Sequence, residues 1–192
     1  MKHIQWENGA EAFVDAVASA SAAPGGGAAS AVVAATGCGL CMMAVAVTIA
    51  NKNTSDADKK TLNAALDYLL DLKDKLKAAA PADGDAYEKV VSARKLPKES
   101  KERAEQLQEA LQAAAQLPVD TARTALAAIK KTREIEGKIW PVIMSDITCG
   151  KLLLKSAITC LIENVKANMP YIKDEDFKAK LQQSINFLSS AV

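Results

Sequence analysis

The residues best suited to chemistry are carboxylates placed beside breaks in an otherwise helix-forming chain. Asp83 and Asp85 stand in Ala82-Asp83-Gly84-Asp85, directly after Pro81. A carboxylate there is either a solvated acid in a first helical turn, where the helix dipole favours it, or a partly buried group with a raised pKa that can move protons. Ser145-Asp146 offers the same pair of readings at the start of a long apolar helix: an N-cap with a first-turn acid, or a carboxylate aimed into a pocket. Asn164 and Asn168 are four residues apart and share a helix face. Asparagine is a poor interior helix residue, so the pair reads as a polar network or ligand contact, or else as exposed surface. Pro24-Gly25-Gly26-Gly27 precedes a helix start. Consecutive glycines let backbone N–H groups come close to a ligand at the positive end of the helix, although a tight interhelix turn needs the same residues. The run lacks the Gly-Lys-Ser/Thr of a phosphate loop and has no strand before it, as a dinucleotide fingerprint would.

Other chemistries are disfavoured. His3 is the sole histidine, which argues against a histidine-based triad or a histidine-ligated metal. Cys38-Gly39-Leu40-Cys41 is a C-x-x-C pair, and Cys149 and Cys160 are eleven apart on one helical face. Four thiolates could hold zinc, but cysteines inside apolar helices more often serve as small hydrophobes. A net charge of +1 gives no pull toward nucleic acid, and 4% aromatic content gives no base-stacking platform.

Elements that position these residues follow from composition and periodicity. The chain is 192 residues long, 49% hydrophobic and 24% charged, enough for one globular domain spanning 1–192. Apolar spacing is helical throughout, with no alternating strand run. The expected class is all-α, a bundle of about eight helices: 8–21 capped by Asn8, 27–51, 55–80 opened by a capping box of Ser55 and Asp58, 83–95, 99–116, 118–136 opened by Pro118, 146–168, and 174–190 capped by Asp174. Breaks are expected at Pro81 and Gly84, and between Gly137 and Pro141. The stretch from Gly27 to Ala50 carries no charge and satisfies the length of a membrane span, but it is dominated by Ala, Gly, Ser, Thr and Cys. It reads as a central Ala-rich helix buried on all sides in a bundle or dimer, with no membrane role. Acidic residues near the N-terminus and the absence of a disulfide framework point to a cytoplasmic location.

Taken in order, these motifs resemble the family of formimidoyltetrahydrofolate cyclodeaminases and methenyltetrahydrofolate cyclohydrolases, over about residues 3–188. Ser21-Ala22-Ala23-Pro24-Gly25-Gly26-Gly27 is similar to its glycine-rich entry, with Gly37, Leu40, Met43 and Thr48 along the helix that follows. Asp83-Gly84-Asp85-Ala86-Tyr87 with Leu96-Pro97-Lys98 resembles its acidic-aromatic stretch. Ser145-Asp146, Asn164-Val165 and Asn168 match its long helix. The resemblance implies one-carbon folate chemistry without a metal or redox cofactor, on a homodimer or higher oligomer. Asp83 is then the acid/base, with Asp146 as electrostatic or orienting support. Pro24, Gly25, Gly26, Gly27, Lys98, Ser145, Asn164 and Asn168 would line the folate pocket, and Thr48 and Lys52 are weaker candidates. Two departures stand out. Ala28 replaces the usual Ser after the glycines, and Ile139-Trp140 stands where Gly-Asn is common. They motivate an alternative, a divergent helical subunit that binds a folate or a partner without turnover.

Overall fold

Residues 9–192 are described here from a computed structural model. They form six α-helices: α1 (Ala10–Ala18), α2 (Gly26–Ala50), α3 (Asp56–Lys95), α4 (Lys101–Ile135), α5 (Met144–Asn168) and α6 (Glu175–Ala191). Three short 3₁₀ turns, Glu136–Lys138, Pro141–Ile143 and Met169–Tyr171, link the later helices. There are no strands among the described residues. Helices α2, α3, α4 and α5 form a ring of antiparallel neighbours, and α6 packs on α4 and α5. Their core is aliphatic, built from Leu62, Leu69, Leu76, Ile129, Ile147, Leu154 and Leu161.

The helix starts follow local chemistry. Ser55 accepts the Asp58 N–H at 3.1 Å and so caps α3, while its hydroxyl donates to the Asp58 carboxylate at 2.8 Å; the shorter Asp side chain takes the hydroxyl where a full capping box would take the Ser55 backbone N–H. Asp174 accepts the Phe177 N–H at 2.9 Å, as expected, and Ser100 plays the same part for Arg103 at 3.1 Å. The cap assigned to Asn8 lies outside the described residues. Ser145 is not a cap: α5 begins one residue earlier, continuing the 3₁₀ turn, and Ser145 and Asp146 lie inside its first turn.

Six helices replace the expected eight because both interior prolines are passed without a break. Pro81 lies inside the 40-residue α3, and Pro118 inside the 35-residue α4. Proline removes one N–H and crowds the carbonyl four residues back, at about 3 kcal/mol in an isolated helix. Here long stretches on either side of each proline are packed in the same bundle, and that packing outweighs the local penalty. The two prolines sit at about the same level, since Ala78 and Ala82 of α3 flank one surface groove with Leu117 and Thr121 of α4.

Register between α2 and α5 is set by glycine. Gly37 and Gly150 face each other so closely that a Cβ on either would lie 2.7 Å from the other's carbonyl oxygen. From this crossing the two helices run antiparallel, bringing Gly26 against Asn164. α2 is apolar enough to pass the length and composition test for a membrane span, with a mean hydropathy of 2.2. Within the single chain its burial is one-sided. Ala31, Ala34, Cys38, Cys41 and Val45 are buried against α3 and α5, whereas Thr36, Met43, Ala46 and Ala50 stay exposed within the single chain.

Candidate active site

Long α3 and α4 run past the ends of the shorter α2 and α5, leaving a ledge. Twelve residues of α3 follow Asp83, about 18 Å of helix. In the corner between ledge and bundle lies a cavity of about 260 Å³, lined by Gly25, Gly26, Gly27, Asp83, Tyr87, Arg94, Asn164, Asn168 and Tyr171 among others.

Asp83 is its centre. The carboxylate Oδ2 accepts the N–H of Ala28, in the first turn of α2, at 2.9 Å. Gly25, the residue at the N-cap, has no side chain to do this, so Asp83 caps α2 from a different helix. The contact explains Gly27. A Cβ there would lie 2.6 Å from the Asp83 carboxyl carbon and closer still to Oδ1, so only glycine allows the carboxylate to rest on the helix end. Gly26 leaves room for Asn164 less strictly, since a Cβ there would lie 3.3 Å from Asn164 Nδ2, a tight contact that a small shift of the side chain relieves. Burial pushes the Asp83 carboxyl above the ordinary carboxylate range, against the opposing hydrogen bond from Ala28. Such a group holds and releases a proton nearer neutrality than a solvated aspartate does.

The two asparagines have different work. Asn164 donates to the Cys160 carbonyl at 2.9 Å, which leaves its oxygen as an acceptor at the glycine end of the cavity. Asn168 donates to the Asn164 carbonyl at 3.1 Å and to the Ala114 carbonyl at 3.3 Å. Ala114 is four residues before Pro118, so its carbonyl is the one orphaned by the missing proline N–H. Asn168 therefore repairs the α4 ladder from across the bundle, beside lining the cavity.

Not every expected residue meets here. Gly25, Gly26, Gly27, Asp83, Asn164 and Asn168 converge, and Pro24 lies between the lining residues Ala23 and Gly25. Asp146 and exposed Ser145 do not. Eighteen residues of α5 separate Asp146 from Asn164, about 27 Å along the axis. Thr48 and Lys52 belong to that far end too, where Thr48 Oγ1 accepts the Trp140 N–H at 3.1 Å. Lys98 is exposed in the turn between α3 and α4 and does not line the cavity. Sequence reasoning missed Arg94 and Tyr171. Arg94 was detectable, because it lies eleven residues after Asp83, three helical turns along one face.

The cysteines are structural where they are buried. Cys38 donates to the Leu69 carbonyl at 3.4 Å, and burial pushes its thiol up to about 12. Cys41 is raised by burial as well, whereas Cys149 and Cys160 are exposed. Among the described residues, no three His, Cys, Asp or Glu side chains are grouped as a metal ion would require.

Known proteins share this fold. The family model for formiminotransferase-cyclodeaminase matches residues 9–187. A crystal structure of formiminotetrahydrofolate cyclodeaminase from Thermotoga maritima superposes with a TM-score of 0.85 at 25% identity, covering 99% of this chain and 90% of that one. Formimidoyltransferase-cyclodeaminase from Sus scrofa is 30% identical over 129 residues, which is 59% of this chain and 22% of that protein's length. With the family model matching almost end to end, and the cavity formed by the glycine turn, Asp83 and the asparagine face, this chain belongs to the formiminotransferase-cyclodeaminase family.

Proposed function

We propose that the protein is a one-carbon folate enzyme that cyclises 5-formiminotetrahydrofolate to 5,10-methenyltetrahydrofolate with loss of ammonia. The observation carrying this is the partly buried carboxylate of Asp83, held at the glycine end of a helix-lined cavity. Attack by N10 on the formimino carbon forms a new C–N bond and makes N10 acidic. The formimino group enters protonated, as an amidinium whose nitrogen already carries two protons. Asp83 takes the N10 proton and gives it to that nitrogen as the third, and ammonia leaves when its bond to carbon breaks, the positive charge staying on the methenyl product. A raised pKa suits a group that is base in one step and acid in the next, a contribution of about 10²–10⁴-fold. The methenyl product is a cation, and the ionised carboxylate stabilises it. Hydrolysis of 5,10-methenyltetrahydrofolate is the second reaction open to the same base, which would take its proton from water entering at the exposed mouth. No metal or redox cofactor is needed for either step.

The test is Asp83→Asn. The amide oxygen still accepts the Ala28 N–H, so the α2 cap survives while proton transfer is lost. Wild type should convert 5-formiminotetrahydrofolate, followed by the near-ultraviolet band of the methenyl product, and the variant should fall at least 100-fold while staying folded. Equal rates would remove Asp83 from this role, and folate binding without turnover by wild type would favour the non-catalytic subunit.

We further read the protein as a homodimer. The open face of α2 and α5 carries Thr36, Met43, Ala46 and Leu152. α2 has no charged residue, and Leu152 is 58% exposed. Two neighbouring helices about 37 Å long and about 10 Å apart present a footprint of roughly 700 Å², close to the ~800 Å² per partner of a stable interface. A two-fold axis across this face would set the Ser145–Asp146 end of one copy beside the pocket end of the other, which would give Asp146 access to the site. Analytical ultracentrifugation should find a dimer that Met43→Glu dissociates; a monomeric wild type would overturn this. Exposed free thiols at Cys149 and Cys160 fit a reducing compartment, and we place the protein in the cytoplasm.

A further inference from the structure

One face of α3 runs from the floor of the cavity to its mouth. Asp83, Tyr87, Val90 and Arg94 follow each other at intervals of four, three and four residues, and all line it. Arg94 is about 16 Å along the axis from Asp83. Among the described residues these two are the only charged ones lining the cavity, one negative at the floor and one positive at the mouth.

The mouth is built in advance of a ligand. The Arg94 guanidinium carbon lies 6.0 Å from the centroid of the Tyr171 ring, within cation–π range. Tyr171 is 60% exposed, so burial of the ring does not hold it in place. Gln108 of α4 does, by donating to the Tyr171 carbonyl at 3.2 Å and accepting the Lys173 N–H at 2.8 Å, on either side of buried Ile172. Arg94 forms no ion pair among the described residues, although ten such pairs occur elsewhere on the surface. A guanidinium steadied by an aromatic ring and not engaged by a carboxylate keeps its donor edge for an incoming anion.

We infer that Arg94 and Tyr171 form the tail subsite of this pocket, Arg94 pairing with a carboxylate and Tyr171 flanking the aryl ring of an elongated substrate whose reacting end lies at Asp83. The inference rests on the folate reading, since a folate carries its reacting nitrogens, an aminobenzoyl ring and a glutamate in that order. The charge order also sets the direction of binding. A cationic centre against Asp83 with carboxylates at Arg94 is attractive at both ends, and the reversed ligand is repelled at both.

Binding of 5-formyltetrahydrofolate and of its analogue without glutamate, 5-formyltetrahydropteroate, tests this by calorimetry. Wild type should prefer the glutamate-bearing ligand by about fivefold, the size of one partly solvated charge-assisted contact, and 0.5 M salt should reduce the preference. Arg94→Gln should weaken the first ligand by that factor and leave the second within twofold, while Arg94→Lys keeps part of the preference. Equal weakening of both ligands, or of neither, overturns the subsite and leaves the folate reading standing. If wild type binds neither ligand, the folate reading fails and this inference fails with it.

Discussion

Replacing Gly27 by alanine sets a methyl group where the Asp83 carboxylate now rests. The added carbon would lie 2.6 Å from the Asp83 carboxyl carbon and 2.9 Å from Oδ2, distances that no relaxed pair of such atoms adopts. Oδ2 is also the atom that accepts the Ala28 N–H. The carboxylate must leave, and α2 loses its cap. Losing the cap costs about 1 kcal/mol, and residual crowding costs about 1–3 kcal/mol. Against this, alanine is favoured over glycine in a helix by up to about 1 kcal/mol. The net expectation is a destabilisation of about 1–3 kcal/mol, together with a loss of turnover approaching that of Asp83→Asn. A double-mutant cycle isolates the cause. In an Asp83→Ala background the carboxylate is gone, so Gly27→Ala should be neutral or stabilising by a few tenths of a kcal/mol. Urea unfolding of the four proteins measures this directly. Additive effects, with Gly27→Ala costing as much in the Asp83→Ala background as in wild type, would refute the claim that Gly27 exists to admit the carboxylate.

Two further outcomes follow from the same geometry. The pKa of Asp83 is raised in the folded state, so its contribution to stability is fully present below the unfolded value and is lost as pH rises through the folded one. Wild-type stability should therefore fall relative to Asp83→Asn across that interval, read by thermal melts from acid to neutral pH, and a constant difference would show that Asp83 titrates normally. Asn168→Ala should cost about 1–2 kcal/mol by leaving the Ala114 carbonyl unpaired. In a Pro118→Ala background the residue at 118 regains its N–H for that carbonyl, so the cost should shrink, and an undiminished cost would mean that Asn168 acts elsewhere.

The chain by itself determines that it is helical, because alanine content, apolar spacing and the caps at Ser55 and Asp174 are local properties that need no partner. It also marks Gly27 and Asp83 as special, although it does not say that each explains the other. Tertiary structure decides the rest. Whether α3 and α4 pass through Pro81 and Pro118 depends on packing along their whole length, which a local breaker rule does not include. Asp83 and Asp146 look alike as acids beside apparent helix starts, yet the glycine crossing at Gly37 and Gly150 fixes a register that brings Asn164 to Gly26 and leaves Asp146 at the opposite end of the subunit. Arg94 and Tyr171 are 77 positions apart in sequence and meet only because Gln108 pins the turn that follows α5 onto α4. Side-chain type and spacing nominate candidates, but antiparallel register selects among them, since a shift of one helical turn moves a side chain about 5.4 Å and would separate every contact in the cavity.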